Sequence, residues 1–542
     1  MARRVYGWQR VGGWVGAALI VTAVSALLLA GTCRAAQAVP VVRLPQGSLS
    51  GIGQGEAAAY LGIPYAASPV GRYRWRAPQR APYWLGVRPA KRFSASCWQV
   101  MEPHGTGPWS PEYMPQGRDS EDCLYLNIWT PAADLHHHLP VLVWIPGGGF
   151  TSGSGSVAVY NGAGLAAQGI VVVTINYRVG VFGFFVTRAL AAEAAREHEP
   201  PGNYGLQDMI AALQWVQRNI AAFGGDPDAI TVGGQSAGAM AVHDLMVSPL
   251  ATGLFQRVIA ESGLPDTVPA PSLAAAEEAG DRYIRSKGAT SLAALRGMTP
   301  RQLAAGSPPG LVGPLLVPIV DGVLLPAAPQ TLLIPGTFAD VPILTGIDGD
   351  EASAFSGHLV TSMSQADWRD LLTRTFGTLA PRFAPLYPAG TGAQRARSAR
   401  QLHHDLGLAA LYGWIQLWGA HAHSPAYGYL FEHLEPGPQS NRWGMFHSSE
   451  LSYVFGTLDA APQRHYTAVD RSISMRLMRY WIDFVKTGNP NGAGLPSWPA
   501  MALRDPRIMV MTGAMQPRQM LPPPKLRAMQ SFIGSGGKPG IF

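Results

Sequence analysis

The chain has 542 residues, 47% hydrophobic and 14% charged, which excludes a disordered, charge-solvated segment and allows a large core. Its formal charge of +7 leans on the first 38 residues, which hold four arginines and no acid. The remainder carries 37 basic against 34 acidic side chains, a balance that advertises no nucleic-acid partner.

Arg3, Arg4 and Arg10 precede an uncharged apolar stretch from Val11 to Cys33, and Ala36-Gln37-Ala38 follows as a small-x-small cleavage site. The pattern reads as an export signal over residues 1–38, leaving a single domain over 39–542 in the periplasm or outside the cell. The apolar stretch is also long enough for an uncleaved anchor; with the signal removed, no stable membrane span is expected. Arg3-Arg4 hints at twin-arginine export. Because Cys33 leaves with the signal, Cys97 and Cys123 remain as a pair in an oxidising compartment, and a disulfide between them is expected.

Pro140–Ile145 and Ile170–Asn176 are continuous β-branched or apolar runs, the pattern of neighbouring parallel strands covered on both faces. Between Gly205 and Phe223, Leu206, Ile210, Leu213, Val216 and Ile220 form one helical stripe. Phe223-Gly-Gly-Asp-Pro227 stops that helix. A short strand, Ile230-Thr-Val232, then enters Gly234-Gln-Ser-Ala-Gly238, and small and apolar residues to Val242 suit a helix packed on a sheet. A serine at the centre of such a strand-turn-helix is held out as a nucleophile, with glycines on either side permitting the close approach of the two backbones.

Further along, Val341–Thr345 reads as a strand whose carboxyl end carries Glu351, the position where open α/β sheets place ligands. Residues 352–445 read as mainly helical, with amphipathic stretches around Asp367–Thr375 and Leu406–Trp418. The chain returns through the strand-like run Tyr427–Phe431 to His447.

Acyl transfer requires a nucleophile, a base, an acid that orients the base, and donors for the oxyanion. Ser236, Glu351 and His447 follow the order Ser, Asp/Glu, His that strand-turn-helix nucleophiles use. His403, His404, His421, His423 and His433 also follow the serine; the first four lie in a helical, polar stretch and His433 ends a strand-like run. Pro146-Gly-Gly-Gly149 after the first strand makes Gly148 and Gly149, with Ala237, candidate oxyanion donors. A phosphate cradle would need the Lys-Ser/Thr that this loop lacks. His136-His-His138 and the other paired histidines read as solvated loop and helix faces, so no metal and no cofactor are expected.

These residues, with Tyr60–Ala66, Ser120–Trp129, Asn176–Gly183, Gly202–Asp208, Phe223–Pro227 and Lys486–Asn491, resemble the type-B carboxylesterase/lipase family, over nearly all of the chain after the signal. The resemblance implies an α/β-hydrolase fold: a large mixed, mostly parallel sheet with helices on both faces and helical excursions over the active site. It implies Ser236 as nucleophile, Glu351 as triad acid, His447 as base, Gly148, Gly149 and Ala237 as oxyanion donors, a Cys97–Cys123 disulfide, and a small-molecule ester as substrate. Gln235 stands where the family usually has Glu, Pro146 where it often has His, and Ala352 where it usually has Gly. Removing the charge at 235 predicts little preference for choline-like cations. The same fold also serves as a non-catalytic binding or adhesion module, but such modules usually lose a triad member and this chain keeps all three.

Overall fold

A computed structural model describes residues 39–100, 105–131, 135–265, 267–305, 316–334 and 336–541, with Met1 and Gly7. The expected export signal lies outside the described residues. Val39–Phe542 is one compact unit.

Its centre is an eleven-stranded sheet. In chain order the strands are β1 (Ile52–Gln54), β2 (Ala57–Pro64), β3 (Tyr125–Pro131), β4 (Leu139–Ile145), β5 (Val171–Ile175), β6 (Gly225–Gln235), β7 (Arg257–Glu261), β8 (Ile343–Asp348), β9 (Ala426–Phe431), β10 (Arg507–Met511) and β11 (Gln516–Gln519). Across the sheet they run β1-β2-β3-β5-β4-β6-β7-β8-β9-β10-β11. From β5 to β10 all neighbours are parallel, and the pairs at both edges are antiparallel. The strands expected at 140–145 and 170–176 are such parallel neighbours, with Val171 opposite Val141.

Their unbroken apolar sequence follows from burial on both faces. Along β4, Val141, Val143 and Ile145 enter one core and Leu142 and Trp144 the other. Helix α1 (Tyr204–Asn219) covers the first face with Leu206, Leu213 and Val216, and α2 (Ala237–Val247) with Val242 and Leu245. On the second face α5 (Ala468–Thr487) brings Ile473, Leu477 and Trp481. Each large apolar side chain removed from water here contributes about 1.5–3 kcal/mol. Helix α5 shows how its limits are set locally. Thr467 and Asp470 form a reciprocal capping box at its start, and Gly488 at φ 74° closes its end.

Between β8 and β9 lie α3 (Gln365–Phe376) and the 30-residue α4 (Gly392–His421). The strand expected over Val341–Thr345 lies later, at Ile343–Asp348. Pro342 offers its carbonyl to Val258 N–H at 3.0 Å but has no N–H for the ladder, so paired residues start at Ile343, and the run continues through Gly346 and Ile347 to bring Glu351 just past the carboxyl end of this interior strand. Cys97 and Cys123 are joined by a disulfide across 26 residues. The blocks around Arg178 and Asp208 prove to be structural. Arg178 and Asp208 form a buried bidentate pair at 2.7 and 2.8 Å, tying the loop after β5 to α1. No helix among the described residues is long and apolar enough to cross a membrane.

Candidate active site

Strand β6 ends at Gln235 and α2 begins at Ala237, so Ser236 alone makes the turn, at φ 58° and ψ −126°. A non-glycine residue held there costs about 1–3 kcal/mol, which the surroundings must offset. Ser236 N–H donates to the Glu261 carbonyl on β7 at 2.8 Å, and its own carbonyl accepts from Met240 N–H at 3.0 Å. The flanking glycines are sterically required. A Cβ on Gly238 would stand 2.1 Å from the Ile145 carbonyl oxygen, and one on Gly234 would stand 2.5 Å from the Gly238 carbonyl carbon. Among the described residues the Ser236 hydroxyl makes no hydrogen bond.

The glycine segment after β4 folds against this turn. A Cβ on Gly147 would lie 3.1 Å from the Ser236 Cβ. Gly148 at φ 122° and Gly149 at φ 61° take conformations that other residues rarely adopt. The Gly148 carbonyl turns away to accept from Thr151 N–H and Ser152 N–H, both at 3.0 Å. Among the described residues no acceptor occupies the N–H groups of Gly148, Gly149 or Ala237.

Two other loops meet the turn. Glu351 follows the end of β8, and His447 lies between the short helical turns Ser440–Trp443 and Leu451–Val454. Both side chains are buried, and His447 Nδ1 is 2.5 Å from Glu351 Oε2. That contact puts the proton on Nδ1 and leaves Nε2 as an acceptor. The amide Nε2 of Gln235, the residue before the serine, stands 3.1 Å from His447 Nε2 and donates to it. The second Glu351 oxygen accepts from Asp348 N–H at 2.8 Å. Trp109 Nε1 donates to the His447 carbonyl at 3.2 Å, and the Trp109 and Phe355 rings pack on the imidazole with centroids 6.3 and 5.2 Å away.

Sequence reasoning missed the acids behind this pair. Glu261, Asp348 and Glu450 are fully buried. Asp348 Oδ2 accepts from Ser448 N–H at 2.9 Å, Tyr429 donates to Glu450 at 3.3 Å, and Trp481 Nε1 donates to Glu261 at 2.6 Å. Asp348 and Glu450 also meet carboxyl to carboxyl, a hydrogen bond that requires a proton on one of them, while Glu261 Oε2 has no partner among the described residues. Burial, then the charge of Glu450, pushes Asp348 and Glu261 well above the usual carboxyl range. Glu450 is pushed to about 7, chiefly by burial. The cluster therefore holds protons near neutrality. A signal was present in the chain: Asp348 stands three residues before Glu351, and Glu450 three after His447.

The other histidines lie elsewhere in the hydrogen-bonding pattern. His433 pairs with Asp470 at 2.7 Å, in keeping with a structural role, and His404 on α4 with Asp405 at 3.2 Å. His136, His137 and His138 are exposed in a loop. Among the described residues no group of three or more His, Cys, Asp or Glu is placed to hold a metal ion.

Such a sheet, with a serine on a strained strand-to-helix turn, defines an α/β-hydrolase. Residues 38–527 match the carboxylesterase family. The fumonisin B1 esterase of Sphingopyxis macrogoltabida is 34% identical over 483 residues, 84% of each chain. The acetylcholinesterase of Danio rerio is 34% identical over 80% of this chain and 77% of its own. A solved structure titled PNB esterase superposes with a TM-score of 0.73 at 30% identity, covering 90% of this chain and 99% of that one. The chain belongs to the carboxylesterase family and is a carboxylic ester hydrolase.

Proposed function

We propose that this hydrolase works through a covalent acyl-serine, with Ser236 as nucleophile, His447 as base and Glu351 as the acid that orients it. The observation that carries the reading is the 2.5 Å contact of His447 Nδ1 with Glu351, beside a serine forced out of the regular backbone. His447 Nε2 exchanges its Gln235 contact for the Ser236 hydroxyl and takes the proton as Oγ attacks the ester carbonyl. The oxyanion falls to the unoccupied N–H groups of Gly148, Gly149 and Ala237. The imidazolium then protonates the leaving alcohol, and water, deprotonated by the same histidine, frees the acid. Pro146 lacks an N–H but precedes the donor glycines, so the three donors remain.

Residues 1–38 direct export, and the Cys97–Cys123 bond fits an oxidising destination. Amino-terminal sequencing of protein recovered outside the cytoplasm checks this: a start near Val39 is expected. A fluorophosphonate probe tests the chemistry. It should label the wild type at Ser236 and leave Ser236→Ala unlabelled, with the burst of p-nitrophenol from an aryl ester abolished; labelling of the Ala variant at another residue would overturn the assignment.

A further inference from the structure

Residues 39–92 hold eight basic side chains and one acid, Glu56, a net charge of +7. Residues 93–542 hold 29 basic and 33 acidic side chains, a net −4, so the near balance after residue 38 conceals one strongly basic region. Two of its cations are committed within the protein: Arg74 pairs with Glu121 and Arg76 with Glu199. Arg43, Arg80, Lys91 and Arg92 are exposed and form no ion pair or side-chain hydrogen bond among the described residues.

The same region builds a three-stranded sheet separate from the central one, from Val41–Leu44, Gly47–Ser50 and Val87–Pro89. Its register sets which residues share a face. Arg43, Ser48 and Val87 stand opposite one another, as do Val41, Ser50 and Pro89. Val42 and Leu49, in the row between, are buried, so the outward face presents Val41 and Val87, each about half exposed, beside Arg43. Just before the third strand Trp84 turns inward, its Nε1 donating to the Ser48 carbonyl at 2.8 Å. Its neighbours stay in water: Tyr83 is 78% exposed and Leu85 fully exposed. Single exposed apolar residues are ordinary, but four on one small sheet and the loop leading into it mark an interaction site. Cations flank them in the chain, Arg80 before Tyr83, and Lys91 and Arg92 after Pro89.

We propose that this sheet face and the loop 82–86 form a docking surface for an anionic phospholipid bilayer, on which the hydrolase rests without spanning it. Unpaired cations around an apolar tip match a partner that is anionic outside and apolar beneath. A nucleic acid would engage the cations but offers Leu85 and Val87 nothing apolar to enter. Tyr83 and Leu85 go into the headgroup boundary, and Arg43, Arg80, Lys91 and Arg92 meet lipid phosphates. Each cation at such a surface strengthens binding about fivefold. Apolar esters concentrate in bilayers, so docking brings the hydrolase to them.

The test takes protein recovered outside the cytoplasm and measures its sedimentation with vesicles of phosphatidylglycerol or of phosphatidylcholine. The wild type is expected to bind the anionic lipid about tenfold or more tightly than the neutral one, and less tightly as salt rises. Two double variants probe the two halves of the surface: Tyr83→Ser with Leu85→Ser, and Arg43→Glu with Lys91→Glu. Each should weaken binding to phosphatidylglycerol by about tenfold or more. Arg369→Glu, at an exposed position on α3, should leave it unchanged. Turnover of water-soluble p-nitrophenyl acetate should be the same in every variant, whereas hydrolysis of p-nitrophenyl palmitate held in phosphatidylglycerol vesicles should fall only in the two double variants. Equal binding to both lipids, binding unchanged in either double variant, or an equal loss in Arg369→Glu overturns the proposal. So does a DNA duplex bound as tightly as the vesicles and indifferent to the Tyr83 and Leu85 changes, or a dimer that those changes dissociate in the absence of vesicle binding. Sedimentation needs no turnover, so failure of the fluorophosphonate to label Ser236 would leave this test intact.

Discussion

Ser236 is held by its neighbours in the chain: a strand ending one residue before it, a helix starting one residue after, and glycines on both sides that let strand and helix nearly touch. His447 has no such local device. Its ring is placed by Glu351 from the end of β8, by Gln235 from the end of β6, and by Trp109 and Phe355 from two further segments. Behind it Glu261, Asp348 and Glu450 arrive from three more positions in the chain. The first arrangement is steric and short-range, and the second is a hydrogen-bonded and electrostatic network assembled by the fold. The Ser236 turn should therefore respond to volume, and His447 to charge and proton count.

The sharpest break in the network is Glu351→Gln. It keeps the shape but no longer selects the Nδ1–H tautomer, and kcat should fall by about 10⁴. A melting temperature close to the wild type would show that the loss is chemical. Gly238→Ala attacks the other region. Its new methyl group meets the Ile145 carbonyl, and overpacking of this kind costs about 1–3 kcal/mol. Urea unfolding should show that cost, with activity falling as the serine turn shifts.

A milder change falls where the two regions touch. Gln235→Glu puts a carboxylate beside His447, which favours the imidazolium, so the acid limb of the kcat/KM profile should move up by about one pH unit. The same variant should gain preference for choline esters over neutral isosteres. A last effect, confined to a pH window, concerns Glu450, raised from 4.5 to about 7 in the folded chain. Between those values the unfolded chain loses its proton while the folded chain keeps it, so the contribution to stability is intact below about 4.5, declines as pH rises to about 7, and is constant above. Glu450→Gln removes that titration. The difference in unfolding free energy between wild type and variant should shift against the wild type across this window, and an unchanged difference would place the proton elsewhere in the cluster.

The strand runs at 140–145 and 170–176, the helical stripe from Leu206 to Ile220, and the serine turn were legible because each declares itself within a few residues, through periodicity or steric need. The triad order and the family resemblance put Glu351 and His447 forward, and local sequence set His404 in a helical stretch and His433 at a strand end. The partners of those two histidines, Asp405 for His404 and Asp470 for His433, are seen only in the fold. Pro342 moved a strand boundary for a reason also written in the chain, the missing N–H.

By itself, then, the sequence determined the sheet-and-helix grammar, the serine turn and the cysteine pair, since these depend on short-range sterics, periodicity and simple counting. Only the tertiary structure decided that Gln235 reaches His447 and that three buried acids gather behind Glu351 and His447. Those properties depend on which side chains from distant segments are removed from water together, and solvation of that kind has no signature in local order.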